Sequence, residues 1–130
     1  MEGHRTTFTK QERLVSRKLI ERLFSEPASH SLVAFPLRMV CLLRERLDGD
    51  APVQVLISVP KRHLRHAVDR NRVKRQIREA YRLRKHVLYS QLPADKALML
   101  AFLWLSDKPV PTAVVAAKID SLMNRLVTKL

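Results

Sequence analysis

A dense run of positive charge, from Lys61 to Lys85, constrains this chain more than any other feature of its sequence. Eleven of its 25 Lys and Arg residues fall in this stretch, and only Asp69 and Glu79 oppose them. Like charges crowded in this way repel one another, so a folded domain must keep them on one solvent-facing side. We therefore predict an element with a separate apolar side for the core, and a polyanion such as nucleic acid as the partner of the charged side.

Apolar residues within the stretch recur at three- and four-residue steps, which is the spacing of one face of a helix. This stripe consists of Val73, Ile77, Ala80, Tyr81, Val87 and Leu88. A second side, within an arc of about 100° of the helix, carries Asn71, Lys74, Arg75, Arg78, Arg82 and Lys85. We predict a helix from Arg70 to about Leu88, with Asp69 as its N-cap.

The composition is that of one globular domain spanning residues 1–130, with residues 1–8 as a flexible arm. Hydrophobic residues make up 46% of the 130-residue chain, which is enough for a real core and excludes a disordered basic tail. The net charge is +13. Cys41 is the only cysteine, which excludes an intrachain disulfide and fits a reducing cytoplasm.

Two further classes are excluded by the apolar patterning. Residues 1–10 lack the apolar segment of a signal peptide, and the longest apolar run, Ala97–Leu105, is far shorter than the roughly 20 residues of a membrane span. We expect a cytoplasmic protein with no membrane partner. An amphipathic helix on an anionic membrane surface is disfavoured because the apolar stripe is needed by the core.

The first part of the chain predicts one helix and two longer strands. Thr9 and Glu12 have the spacing of a capping box, so we place a helix from about Lys10 to Ser25. Residues 31–46 are typical of extended structure, with a short segment at 32–34 before Pro36. Residues 52–60 alternate as a returning strand, and we predict that it forms a hairpin with the preceding strand through the turn at 48–50.

The last part predicts a buried strand and a helix. Ala97–Leu105 is apolar throughout, as in a central strand, although periodicity alone leaves a helix open. Residues 112–129 show helical periodicity, with an apolar face of Val115, Ile119, Leu122, Met123 and Leu126. The predicted class is α+β, an α-β sandwich of order α-β-β-(β)-α-β-α, in which the bracketed strand is the short segment at 32–34.

Residues 67–79, AVDRNRVKRQIRE, resemble the Arg-Asn-Arg signature of the bacterial ribonuclease P protein component. The first helix, with its LIERLF string at 19–24, and the Ile57-Ser58-Val59 strand are also similar to that family. The resemblance implies an RNA-binding subunit of an endoribonuclease, which assists a catalytic RNA in removing the 5′ leader from precursor tRNA. It implies no catalytic residues in this chain, Mg²⁺ held mainly by the RNA, and a left-handed strand-helix-strand crossover.

The same resemblance implies two binding regions. The ribonuclease P RNA would be bound by Arg70, Asn71, Arg72, Lys74, Arg75 and Arg78, together with the lead-in residues Lys61, Arg62 and Arg65. The precursor's 5′ leader would lie in a cleft between the first helix and the sheet, lined by Ile20, Phe24, Phe35 and Cys41. The chain departs from the family pattern at Arg65 and His66, where a Gly and a small polar residue are usual, and at Ile20, where Phe is frequent.

Several alternatives remain beside this hypothesis. A ribosomal or general RNA-binding protein would explain the charge but not the Arg-Asn-Arg string, and no DNA partner is expected. His63 and His66 are spaced like a metal pair, but no Cys, Asp or Glu near them in sequence completes a site, so no metal site is predicted. Glu12 is expected to be a solvated charge.

Overall fold

A four-stranded mixed sheet forms the middle layer of the molecule. The structure, a computed structural model, describes residues 8–130. The strands are β1 (His30–Ala34), β2 (Leu37–Glu45), β3 (Val53–Ser58) and β4 (Lys96–Trp104). They lie in the order β1-β2-β4-β3, with β1, β2 and β4 antiparallel and β3 parallel to β4. The predicted α+β class and the short first strand are confirmed.

Four α-helices cover the sheet: α1 (Arg17–Ser25), α2 (Ala67–Arg84), α3 (His86–Gln91) and α4 (Thr112–Val127). The element order matches the predicted order, with α3 as an additional short helix. All five residues predicted as the apolar face of α4 are buried. None of the helices in the described part of the chain is long and apolar enough to cross a membrane.

The predicted hairpin between β2 and β3 is wrong, because β4 lies between these two strands. Six consecutive residues of β4, Ala97–Phe102, are at most 1% exposed, and such an apolar strand is most stable with a partner on each side. Adjacent strands are about 4.8 Å apart, so residues 46–52 need to span only about 10 Å to step over β4. Parallel pairing of β3 with β4 is possible because α2 and α3 connect them.

The two faces of the sheet carry separate apolar clusters. On one face, Met39 and Cys41 of β2 belong to the large cluster that includes α2 and α4. On the other face, Val40 and Leu42 pack with Leu23 of α1. Strand β2 is therefore covered on both faces, since successive side chains of a strand point to opposite faces.

The predicted single helix from Lys10 to Ser25 is wrong in its first part. The capping box is present, with the Thr9 N–H donating to Glu12 Oε1 at 2.8 Å, but it caps one 3-10 turn, Lys10–Glu12. The chain then runs extended beside β3, where the Leu14 N–H donates to the Val55 carbonyl at 2.9 Å. A helix could not offer this N–H to a sheet edge, so α1 begins only after Ser16, whose hydroxyl accepts from the Leu19 N–H.

Helix α2 begins three residues earlier than predicted, and it ends at Arg84 and not near Leu88. Its N-cap position is His66, and Asp69 lies in the first turn, so the predicted N-cap is wrong. The helix is interrupted at Lys85, beyond which α3 carries the buried Leu88. The segment β3-α2-α3-β4 is thus the parallel crossover, and its left-handed sense stays a prediction.

The predicted arm is only partly within the described residues. Positions 1–7 lie outside them, whereas Phe8 is packed at the core with its ring edge-on to Tyr81, the centroids 6.0 Å apart. Phe8 therefore belongs to the packed domain and not to an arm.

Candidate nucleic-acid interface

Helix α2 presents a cationic side opposite its buried side, as its periodicity predicts. Val73, Ile77 and Tyr81 are 0% exposed and join the large cluster, which holds the helix in a fixed orientation. Five predicted site residues lie on the opposite side: Asn71, Arg72, Lys74, Arg75 and Arg78. Lys74 is half-buried and the other four are exposed. Val87 is only half-buried, and Gln76 is buried although the apolar pattern omitted it.

Most of these cations form no ion pair with a carboxylate of the described residues. The ion pairs that α2 forms are Arg82 with Glu79, one turn apart, and Arg84 with Asp120. No ion pair of residues 8–130 involves Arg72, Lys74, Arg75 or Arg78. Their positive potentials therefore add, and the planar guanidinium groups suit bidentate binding of phosphate.

The lead-in before α2 is an ordered turn. The Pro60 carbonyl accepts hydrogen bonds from the N–H groups of His63 and Leu64, and the Leu64 side chain is 3% exposed. His63 Nδ1 lies 3.0 Å from Asp107 Oδ1, which ties the turn to the loop after β4. This turn brings three predicted site residues around one shallow concavity: Lys61, Arg62 and Arg65.

Arg70 differs from the other predicted RNA-binding residues, because its guanidinium already has partners in the protein. It donates to the carbonyls of Leu64 at 2.9 Å and Arg65 at 2.8 Å. The side chain thus joins the lead-in turn to the first turn of α2. Sequence reasoning missed this role, since nothing in the pattern distinguishes a guanidinium that binds carbonyls from one left for phosphate.

Lys85 and Glu12 are buried together, so the expectation of a solvated Glu12 and the placement of Lys85 on the cationic side are both wrong. Lys85 Nζ and the Tyr89 hydroxyl each donate to Glu12 Oε2 at 2.7 Å. Burial alone would raise the pKa of Glu12, but hydrogen bonds from Lys85, Thr9 and Tyr89 outweigh it and lower that pKa. The partners are far apart in sequence, so no local pattern could have revealed the pair.

The predicted cleft residues are only partly brought together. Ile20 packs on the α1 side of the sheet beside Val40 and Leu42, and Phe24 of the same helix is 48% exposed. Cys41, however, points to the opposite face, among residues that contact α4. The prediction that Cys41 lines the cleft beside α1 is wrong, because alternation along β2 assigns that face to Val40 and Leu42.

Phe35 lies in the link between β1 and β2 and is 61% exposed. Among the described residues it belongs to neither apolar cluster, so it remains a separate exposed aromatic. Two residues that complete the α1 side, Leu56 and Leu103, were missed by sequence reasoning. The pairing of β3 with β4 determines which side chains of these strands face α1, so the side on which Leu56 and Leu103 lie could not be predicted from either strand alone.

The described residues do not meet the requirements of a metal site. No group of three or more His, Cys, Asp or Glu side chains between positions 8 and 130 is arranged to hold a metal ion. His63 faces Asp107, and His66 occupies the N-cap position of α2. These residues therefore do not fit a protein-held Mg²⁺.

Comparison with protein families and curated relatives gives one consistent result. The family model described as Ribonuclease P matches residues 8–125. The chain is 42% identical over 101 residues to the "Ribonuclease P protein component" of Porphyromonas gingivalis, a match that covers 77% of this chain and 72% of the relative.

Solved structures show the same fold. The RNase P protein of Staphylococcus aureus matches with a TM-score of 0.69 at 19% identity, covering 88% of this chain and 94% of that one. The RNase P protein of Thermotoga maritima matches with a TM-score of 0.65 at 24% identity, covering 88% and 96%. These matches confirm the α+β architecture.

Proposed function

The chain belongs to the bacterial ribonuclease P protein family, and from this premise we propose that the cationic side of α2 binds the RNA subunit of that enzyme. As a member of the family, the protein is a subunit of ribonuclease P, an endoribonuclease, and takes part in the 5′ processing of precursor tRNA. The role proposed for its own residues in that activity is RNA binding.

The observation that carries the proposal is the unneutralised charge on α2. Arg72, Lys74, Arg75 and Arg78 are held on one side by a buried opposite side, and no carboxylate of the described residues forms an ion pair with them. Asn71 adds an amide that can bond a base edge or a sugar. The concavity formed by Lys61, Arg62 and Arg65 extends this surface beyond the N-terminus of the helix.

Arg70 has a positioning role in this proposal. Its bonds to the Leu64 and Arg65 carbonyls hold the lead-in turn against α2, so that the cations of the turn and of the helix form one surface. A guanidinium with two protein acceptors also retains donors on its other edge, but the positioning role does not require that these donors meet RNA.

The precursor's 5′ leader is proposed to lie on the α1 side of the sheet. Ile20 of α1 packs with Val40 and Leu42 of β2. Phe24, one helical turn after Ile20, offers an exposed aromatic ring on which a base can stack. Phe35 is a second exposed aromatic that the leader can reach only if it continues toward the β1–β2 link. Cys41 has no part in this proposal.

Catalysis is proposed to belong to the RNA subunit, with Mg²⁺ held there. In this proposal, which follows the family resemblance, the chain has no catalytic residue and holds no metal for the reaction. Its contribution is to neutralise phosphates and to hold the substrate's leader. The single cysteine, Cys41, is a buried free thiol. This fits the proposal that the protein acts in the reducing cytoplasm, where precursor tRNA is processed.

The test is stimulation of precursor-tRNA cleavage by a bacterial ribonuclease P RNA at low Mg²⁺ concentration. The purified chain should restore cleavage that the RNA alone performs poorly under these conditions. Arg75→Gln with Arg78→Gln should weaken the stimulation, whereas Lys118→Gln with Lys129→Gln, which removes the same charge on α4 and just after it, should not. Absence of any stimulation by the wild-type chain would refute the proposal.

A further inference from the structure

A groove beside the edge strand β3 combines an apolar floor with a cationic rim. It lies where the extended segment after Glu12 runs alongside β3, held by the bond from the Leu14 N–H to the Val55 carbonyl at 2.9 Å. Helix α2 forms its other wall. We call it the β3-edge groove and define it by six of its lining residues: Phe8, Arg13, Val15, Ile57, Lys74 and Arg78.

The rim is positively charged on both sides. Lys74 and Arg78 stand one helical turn apart on α2, and Arg13 faces them from the N-terminal segment. None of these three forms an ion pair with a carboxylate in residues 8–130, and no Asp or Glu among those residues lines the groove. An anion is therefore the ligand that the rim favours.

The floor is apolar and open to solvent. Val15 is 79% exposed, although it lies directly after the buried Leu14. Ile57 is partly buried, and the Phe8 ring has the Arg13 guanidinium 6.0 Å from its centroid. Such a floor gains free energy by contacting a flat apolar group, such as a nucleobase or the carbon side of a ribose.

The size of the groove restricts what it can take. It encloses about 240 Å³, which is below the roughly 300–1,000 Å³ of pockets for drug-sized ligands. A duplex would present phosphates but no exposed base face to the floor. One unstacked nucleotide supplies both parts, with its base on the floor and its flanking phosphates on the two sides of the rim.

We propose that the β3-edge groove binds one unstacked nucleotide of the RNA that lies along α2. This inference rests on the proposed function, because Lys74 and Arg78 belong both to the RNA-binding side of α2 and to the groove. It adds a specific site to that function, with Val15 and Ile57 as base-contacting residues and Arg13 as a phosphate-binding residue outside the Arg-Asn-Arg helix.

The first test compares Val15→Ser with Val33→Ser. Val33 is also exposed, at 50%, but lies on β1 at the opposite edge of the sheet. Affinity for a bacterial ribonuclease P RNA, measured at one salt concentration, should fall about fivefold for Val15→Ser, from loss of part of a valine's burial, and stay unchanged for Val33→Ser. The Val15→Ser effect should largely disappear in an Arg78→Gln background, since both residues hold the same nucleotide.

A second test locates the contact directly. Cys41 is 2% exposed, so Val15→Cys provides a single reactive thiol for attaching an iron–EDTA cleavage reagent. In the complex with the RNA, cleavage should be confined to a few nucleotides of one unpaired segment. A Val33→Cys protein carrying the same reagent should not cut there.

The outcomes separate the groove from the function on which it rests. If the wild-type chain stimulates cleavage but Val15→Ser binds the RNA like Val33→Ser, the groove proposal is overturned and the proposed function stands. If the wild-type chain neither binds the RNA nor stimulates cleavage, both are overturned. A third readout is the rate at which the Val15→Cys thiol is alkylated. If uridine monophosphate, adenosine monophosphate or phosphatidylglycerol vesicles slow this reaction and the RNA does not, the groove binds another ligand and the proposal is overturned.

Discussion

At the scale of single residues, the buried contact between Glu12 and Lys85 is the least expected feature. It joins the 3-10 turn at the N-terminal end to the junction of α2 and α3, with both side chains less than 10% exposed. Tyr89 donates to the same carboxylate oxygen, and burial together with that carboxylate raises the pKa of Tyr89. The contact fixes the segment that forms one wall of the β3-edge groove.

Replacing Glu12 by Gln should destabilise the protein by about 3–5 kcal/mol, because Lys85 would be left buried without its counter-charge. Urea unfolding at neutral pH measures this loss. Glu21→Gln, at an exposed position of α1, is the matched control and should change stability by less than about 0.5 kcal/mol. A Glu12→Gln protein as stable as the control would show that the contact contributes nothing.

The same carboxylate predicts a dependence on pH. The pKa of Glu12 is lowered in the folded protein from its ordinary value of 4.5, so its ionised form contributes stability above that pH. This contribution is lost as the pH falls through the lowered pKa. The double variant Glu12→Gln, Lys85→Met should therefore lose less stability than the wild type on acidification below about pH 4.5, as measured by urea midpoints; parallel loss in both proteins would contradict the assignment.

Arg70 and Arg72 flank the same Asn71 but should behave differently in RNA binding. Arg70 holds the backbone of Arg65, so after Arg70→Ala the further change Arg65→Ala should cost much less affinity than it does alone. Arg72 forms no such bond within residues 8–130, so Arg72→Ala with Arg65→Ala should be additive within about 0.3–0.5 kcal/mol. Double-mutant cycles on affinity for the RNA measure both couplings, and additivity for Arg70 would refute its positioning role.

At the scale of elements, α1 places a structural residue next to a residue that is proposed to bind the leader. Leu23 is 0% exposed and packs on the sheet, whereas Phe24 is 48% exposed on the proposed leader side. Helical geometry places consecutive residues about 100° apart, which explains how one helix serves both purposes.

Phe24→Ala should lower affinity for leader-bearing precursor tRNA by about 1–3 kcal/mol through lost base stacking, with little effect on leaderless tRNA. Leu23→Ala should instead destabilise the fold by about 2–5 kcal/mol. The measurements are binding to both tRNAs and thermal unfolding. If the preference for the leader survives in Phe24→Ala, the leader does not use this side of α1.

At the scale of the whole molecule, a net charge of +13 is concentrated toward α2 and its lead-in. Seven cations of α2 and its lead-in turn are proposed to bind phosphates: Lys61, Arg62, Arg65, Arg72, Lys74, Arg75 and Arg78. Each neutralised phosphate contributes about 0.7–0.9 to the salt dependence of binding. The surface therefore predicts a steep loss of affinity as salt is raised.

The logarithm of affinity for the RNA should fall against the logarithm of salt concentration with a slope of about −5 to −6 from these seven cations, to which Arg13 of the β3-edge groove should add about −0.7 to −0.9. In the Arg75→Gln, Arg78→Gln protein the slope should be less steep by about 1.4–1.8. Lys118→Gln, on α4, is the control and should leave it unchanged. A wild-type slope near −1 would mean that most of these cations do not contact phosphate.

The features that depend on local periodicity can be predicted from the order of the amino acids alone. The two sides of α2 follow from the spacing of Val73 and Ile77 against Lys74 and Arg78, because 3.6 residues per turn separate them on any helix. The apolar side of α4 and the buried character of β4 were predicted for the same reason. The Arg-Asn-Arg string identified the family directly.

Which distant segments meet cannot be predicted locally and follows from the three-dimensional packing. Nothing local distinguishes β2 pairing with β3 from β2 pairing with β4, because either pairing satisfies the same alternation. The burial of Glu12 against Lys85 and the bonds of Arg70 to the lead-in turn likewise depend on three-dimensional proximity, as does the facing of Cys41 toward α4. A local pattern records which side of an element is apolar, whereas the choice of partner depends on the packing free energy of the whole domain.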